Sequence, residues 1–187
     1  MRAEKAKIQK DNDMRRLFLD VDGVLNTDRS KSLFGNDHVN LDVVRSLADL
    51  CHDLARRLGV AVQVVLSSTW RLNHRGLNAA ELQSRIPFLA LLPLSEDPMT
   101  PSLPDAARGD EVLAYLDQSS GVTGFAALDD LTVQAVLAAN QPRAGLLAAQ
   151  TLLVDGRKGF GTPMQLASLS DLLARPLDLT KPALAAA

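Results

Sequence analysis

The sequence predicts a three-layer α/β protein, a parallel β-sheet with helices on both faces. Two observations predict it. Short apolar runs that end in polar residues alternate with amphipathic segments of helical period along most of the chain, the order that parallel crossover units produce. One of these runs, "VAVQVVLSS", is β-branched and apolar almost throughout, as a strand covered on both faces must be. The 187 residues suffice for one well-buried domain and are too few for two comfortable ones.

Residues 1–13 are polar and aperiodic and read as a mobile tail. "RLFLDV" is the first strand. "NLDVVRSLADLCHDLARRL" places Val43, Leu47, Leu50, Leu54 and Leu58 at spacings of three and four, a helix face stopped by Gly59. After the second strand, "NAAELQSRI" is a short helix and "PLSEDPMTPSLPDAARG" a proline-rich loop. Loops of that length in compact domains are functional or disordered, and residues 73–104 could form a small lid. "DEVLAYLDQ" is a helix, "GFAALDD" a third strand, "LTVQAVLAAN" a helix and "TLLVD" a fourth strand. "TPMQLASLSDLLAR" closes a domain spanning 14–175, with Thr162 as N-cap and Pro163 at the first helical position. Residues 176–187 read as a second tail.

The totals exclude several classes. Twenty basic against 22 acidic residues give a formal charge of −2, without the basic excess that drives duplex binding. Cys51 is the one cysteine, so neither an internal disulfide nor a multi-cysteine metal site can form. In its helical pattern it reads as a small apolar filler or a surface thiol. No apolar run approaches the roughly 18 residues of a membrane span, and the charged N-terminus lacks a signal-peptide core. A reducing, cytoplasmic setting is expected.

Ligands of such sheets bind beyond the carboxyl ends of the strands, and there this sequence repeats polar residues. The first strand ends in Asp20 and Asp22, the second in Ser67 and Ser68, the third in Asp129 and Asp130. Four carboxylates converging on one crevice repel each other unless a cation compensates. Oxygen-only donors select a hard ion such as Mg²⁺, which commonly takes one or two carboxylates together with a substrate phosphate. On that chemistry Asp20 is a nucleophile, Asp22 a general acid and base, and Gly23 a turn with N–H groups available to phosphate oxygens.

"DVDGVLN" resembles the first motif of the haloacid dehalogenase (HAD) superfamily, Asp-x-Asp-Gly followed by apolar and small residues. "VQVVLSSTWR" is similar to the second motif, with Ser67 as the phosphate-binding hydroxyl and Ser68 as the alternative. "FAALDDL" is similar to the fourth, with Asp129 on the metal and Asp130 ligating through water or holding the loop. The resemblance implies a Rossmann-like α/β fold and an aspartyl-phosphate on Asp20. It also implies a Mg²⁺ held by Asp20, the Asp22 backbone carbonyl, Asp129 and Asp130. The third motif departs from the pattern. Arg108 stands where the family places a lysine, and Lys158 in "DGRKGFG" is the other candidate for that charge; arginine and lysine are not freely interchangeable there.

Together "DVDGVLN", "LSSTWR", "RGDEVLAYL" and "ALDD" resemble the small HAD domain of "Swiss Army Knife" RNA-repair proteins, over residues 14 to about 173. That likeness implies a phosphatase of nucleotides or nucleic-acid ends, without a large cap domain. Trp70 could stack a base or pack on the sheet. Arg71 or Arg75 could hold a second phosphate, or Arg71 could pair with a carboxylate. Asn26 could brace the turn or touch substrate, and His38, His52 and His74 offer nothing specific. The other readings are a small-metabolite phosphatase and a non-catalytic HAD-like binding module. No membrane partner is expected, and the sequence leaves the oligomeric state open.

Overall fold

The structure, a computed structural model, describes residues 13–34, 38–131 and 143–177. Among these, five strands form one parallel sheet in the order β3-β2-β1-β4-β5. They are β1 (Met14–Leu19), β2 (Ala61–Leu66), β3 (Leu94–Met99), β4 (Val122–Asp129) and β5 (Thr151–Leu153). The helices are α1 (Asp28–Phe34), α2 (Leu41–Leu58), α3 (Ala79–Arg85), α4 (Arg108–Gln118), α5 (Ala144–Ala149) and α6 (Pro163–Ala174), with 3₁₀ turns at Thr69–His74 and Pro87–Leu91. No cap domain interrupts the chain among these residues, and no helix among them is long and apolar enough to cross a membrane.

The pleat of β1 divides the core into two layers. Leu17 and Leu19 pack with Val44, Leu47, Cys51 and Leu54 of α2 and with Leu169 and Leu173 of α6. Phe18, between them, faces the opposite layer with Val65, Phe125, Val112 and Leu116. Its ring meets Tyr115 and Phe125 edge-on at centroid distances of 5.4 and 5.9 Å, an arrangement aromatic quadrupoles favour. Helix-covered layers on both faces are the architecture expected from the alternating pattern.

Register then delivers the polar residues. Leu19 lies opposite Leu66 on one side and Leu128 on the other. The residues that follow, Asp20, Ser67 and Asp129, therefore emerge side by side at the carboxyl edge. The Ser67 N–H donates to the Leu19 carbonyl at 2.9 Å and the Asp20 N–H to the Leu128 carbonyl at 3.0 Å.

Four details differ from expectation. Part of the proline-rich segment is β3, an edge strand, and the edge is the position where Pro98 costs no ladder hydrogen bond. The stretch considered as a lid thus adds a strand to the sheet, with Leu82, Leu89 and Leu92 in the core. The buried stripe of α2 is centred on Val44, Leu47, Cys51 and Leu54, with Val43, Leu50 and Leu58 at its margins, so Cys51 is the core filler and not a surface thiol. The short helices α1 and α5 carry too little periodicity to be seen in sequence. Leu177, assigned to the tail, donates its N–H to the Thr123 carbonyl at 2.8 Å. The expected helix "LTVQAVLAAN" lies, beyond Leu131, outside the described residues, as do the first 12 residues and those after Leu177. Helix α6 begins as read: Thr162 accepts from the Gln165 N–H at 3.3 Å, and the Gln165 side chain accepts from the Thr162 N–H at 3.0 Å, a reciprocal cap.

Candidate active site

The ends of β1 and β4 bring three carboxylates together. Asp20, Asp129 and Asp130 each offer an oxygen within 4.8 Å of the others. Asp20 and Asp129 are almost fully buried. Arg108, at the start of α4, places Nη1 2.9 Å from Asp20 Oδ2 and 2.8 Å from Asp129 Oδ2. Burial alone would lower the charge affinity of this guanidinium, but the two carboxylates outweigh it and raise its pKa. Asp129 also accepts the Leu131 N–H at 2.9 Å. Burial, reinforced by repulsion from Asp20, raises the Asp129 pKa. Burial and the charges of Asp20 and Asp129 push Asp130 up to about 6. One guanidinium does not balance three carboxylates. The donor set of oxygens alone, closely grouped and short of positive charge, fits a hard dication.

Asp130 fits its place because two glycines leave room for it. A Cβ on Gly23 or on Gly156 would overlap the Asp130 carboxylate. Gly23 also has φ +76°, the left-handed backbone that glycine adopts freely. Its N–H is donated to Asn26 Oδ1 at 3.1 Å, which braces the turn. Asn26, itself buried, completes that brace by donating Nδ2 to Asp22 Oδ1 at 3.1 Å.

The Asp22 carboxylate stands apart from the cluster of three. Lys31 of α1 lies 2.9 Å from its Oδ1, and the Trp70 indole donates to its Oδ2 at 3.0 Å. Partial burial works against the charge, yet Lys31, Asn26 and Trp70 together outweigh it and hold Asp22 below the usual carboxylate range. Trp70 is half-buried, packed edge-on against Phe88 at 5.9 Å. Its ring therefore serves the core and Asp22 together.

Ser67 and Ser68 end β2 and are both buried. Ser68 caps the following 3₁₀ turn, accepting from the Trp70 N–H at 3.4 Å, while the Ser67 backbone lies next to Asp20 in the row of strand ends. Arg71 is buried beneath them. Its Nη1 donates to the Ser67 and Ser68 carbonyls at 3.0 and 2.8 Å, and its Nη2 pairs with Glu111 of α4. Burial and the neighbouring Arg108 lower the Arg71 pKa against the pull of Glu111. Lys158 lies elsewhere: it is exposed, 3.9 Å from Asp155, whereas Arg108 sits on the carboxylates. Lys31, Glu111 and Gly156 were not visible in sequence. Glu111 meets Arg71 across 40 residues, and no local pattern announces such a pair.

A family model described as the HAD domain in Swiss Army Knife RNA repair proteins matches residues 16–163. The chain belongs to this HAD family. The match runs from β1 to the start of α6 and so contains every residue of the cluster just described. Membership implies phosphatase-type hydrolase chemistry on a phosphorylated substrate. HAD proteins generally use Mg²⁺, and among the described residues Asp20, Asp129 and Asp130 form an acidic cluster that could bind it. No curated protein and no solved structure matches the chain.

Proposed function

We propose that this HAD domain is a Mg²⁺-dependent phosphomonoester hydrolase that works through an aspartyl-phosphate on Asp20, on nucleotides or phosphorylated nucleic-acid ends. The carrying observation is the cluster of Asp20, Asp129 and Asp130 within 4.8 Å at the carboxyl edge of the sheet, held by Arg108. Asp20, Asp129, Asp130 and the Asp22 backbone carbonyl would hold the ion. A hard dication there would keep these carboxylates ionised and would draw charge from the phosphoryl oxygens.

The chain's own residues divide the remaining work. Asp20 Oδ forms a bond to phosphorus as the ester oxygen leaves. Arg108 and the Ser67 hydroxyl hold phosphoryl oxygens in line. Asp22 gives a proton to the leaving oxygen and then takes one from the water that releases phosphate. Lys31 and Trp70 favour its ionised form, so Asp22 rests ready for the second task, and the first requires Lys31 to loosen. The RNA-repair family and the absence of a cap domain among the described residues support a nucleotide or polymer end as substrate. A reducing, cytoplasmic setting suits the lone buried thiol.

The test is phosphate release with Mg²⁺ and with EDTA, for wild type and Asp20→Asn, from an aryl phosphate, mononucleotides and oligonucleotides phosphorylated at either end. Metal-dependent release lost in the variant, fastest on the nucleic-acid end, is the expected result. Equal release by the variant would remove Asp20 as nucleophile. No release from any substrate would favour the binding-module reading.

A further inference from the structure

We propose that the pocket between the carboxyl ends of β2 and β3 receives a second phosphate of the substrate, so that the enzyme prefers nucleoside units phosphorylated at two positions to simple monoesters. This rests on the phosphohydrolase reading and names its substrate class. The pocket has a volume of about 320 Å³, and Arg71, Arg75, Thr100 and Ser102 line it with no carboxylate among its lining residues.

Its place follows from the sheet. The Thr100 N–H donates to the Leu66 carbonyl at 3.0 Å, so Thr100 continues the row formed by Asp129, Asp20 and Ser67 at one more strand end. The pocket opens between the ends of β2 and β3, so it lies between one and two strand spacings, about 5–10 Å, from the end of β1. The two phosphates of one nucleoside 3′,5′-bisphosphate have a separation within that interval.

The lining is chemically unfinished. Thr100 is 4 % and Arg71 5 % exposed, yet Thr100 Oγ1 and Arg71 Nε have no hydrogen-bond partner, a state that buried polar atoms seldom tolerate. The charge of Arg71 is met by Glu111. That of Arg75 is met by no carboxylate among the described residues; its Nη2 rests on Ser102 Oγ at 3.1 Å. An uncompensated guanidinium beside two hydroxyls suits a phosphate and repels a cation.

Arg75 is exposed, so Arg75→Ala should fold normally, and Thr100→Val keeps the buried shape while removing the hydroxyl. The experiment compares kcat/KM for a nucleoside 3′,5′-bisphosphate with that for each monophosphate, alongside equilibrium binding of the same compounds to wild type and both variants. The wild-type preference for the bisphosphate should be about tenfold, the size of one charge-assisted hydrogen bond. It should fall close to one in Arg75→Ala through KM, and fall part-way in Thr100→Val. A preference unmoved by Arg75→Ala would overturn the subsite. If wild type hydrolyses none of the compounds, the phosphohydrolase reading fails and binding decides the subsite alone. Tighter binding of the bisphosphate, lost in Arg75→Ala, would support it; equal binding of all three would overturn it.

Discussion

The indole Nε1 of Trp70 donates to Oδ2 of Asp22 across 3.0 Å, opposite the ammonium of Lys31 at 2.9 Å from Oδ1. Both donors stabilise the charged carboxylate, so removing either raises its pKa. In Lys31→Met and in Trp70→Phe the limb of the kcat–pH profile governed by Asp22 should move to higher pH. A profile that stays in place in both variants would show that another group sets that limb.

Asp130 makes the metal-free protein sensitive to pH. Its pKa rises from 3.8 to about 6 on folding, so between those values the native state binds more protons than the unfolded one. Stability is then fully present below about pH 4, falls as pH rises through about 6, and stays level above. The raised pKa of Asp129 acts with the same sign. Thermal melts in EDTA should show Tm falling from pH 4.5 to 7, with Mg²⁺ raising Tm more at pH 7 than at pH 4.5. Asp130→Asn should flatten the metal-free profile and weaken the response to Mg²⁺.

Arg108 touches both Asp20 and Asp129 through one nitrogen. Loss of a fixed donor at a site where charge develops costs roughly a hundredfold in rate. Arg108→Met should therefore lower kcat by about that factor, and Arg108→Lys should restore a good part of it, because Lys keeps the charge and loses only the fork. A lysine variant as slow as the methionine variant would mean that guanidinium geometry, and not charge, is what the site uses.

The Arg71–Glu111 pair is buried on both sides. Breaking one half leaves an uncompensated charge in a low dielectric, at a cost of about 3–5 kcal/mol. Glu111→Leu should show that loss in urea unfolding. Adding Arg71→Met should recover part of it and not all, because the Ser67 and Ser68 carbonyls then lose their donor.

The sheet and the strand-end row were legible because each rests on a local signal. Short apolar runs mark β1, β2 and β4, β-branched in β2, and Asp20, Ser67 and Asp129 come at the ends of those runs. Arg108 was legible as a position and left in competition with Lys158, since sequence does not show which cation the fold turns inward. β3 was hidden by Pro98, which argues against a strand until the strand is known to lie on an edge. Lys31 and Glu111 reach Asp22 and Arg71 through tertiary packing, and the space that Gly156 leaves for Asp130 exists only once β4 and β5 are side by side. Such relations have no period and no spacing.

The alternation of β1 has one more consequence. Phe18 belongs to one core layer and Leu17 and Leu19 to the other. Sliding this strand one residue against β2 and β4 would send each of them to the wrong side of the sheet, while drawing the Asp20 carboxylate back from the crevice by about 3.3 Å. Misalignment of the reactive carboxylate is thus paired with wholesale loss of packing. The core acts as quality control on the chemistry: a molecule that has folded has already placed Asp20.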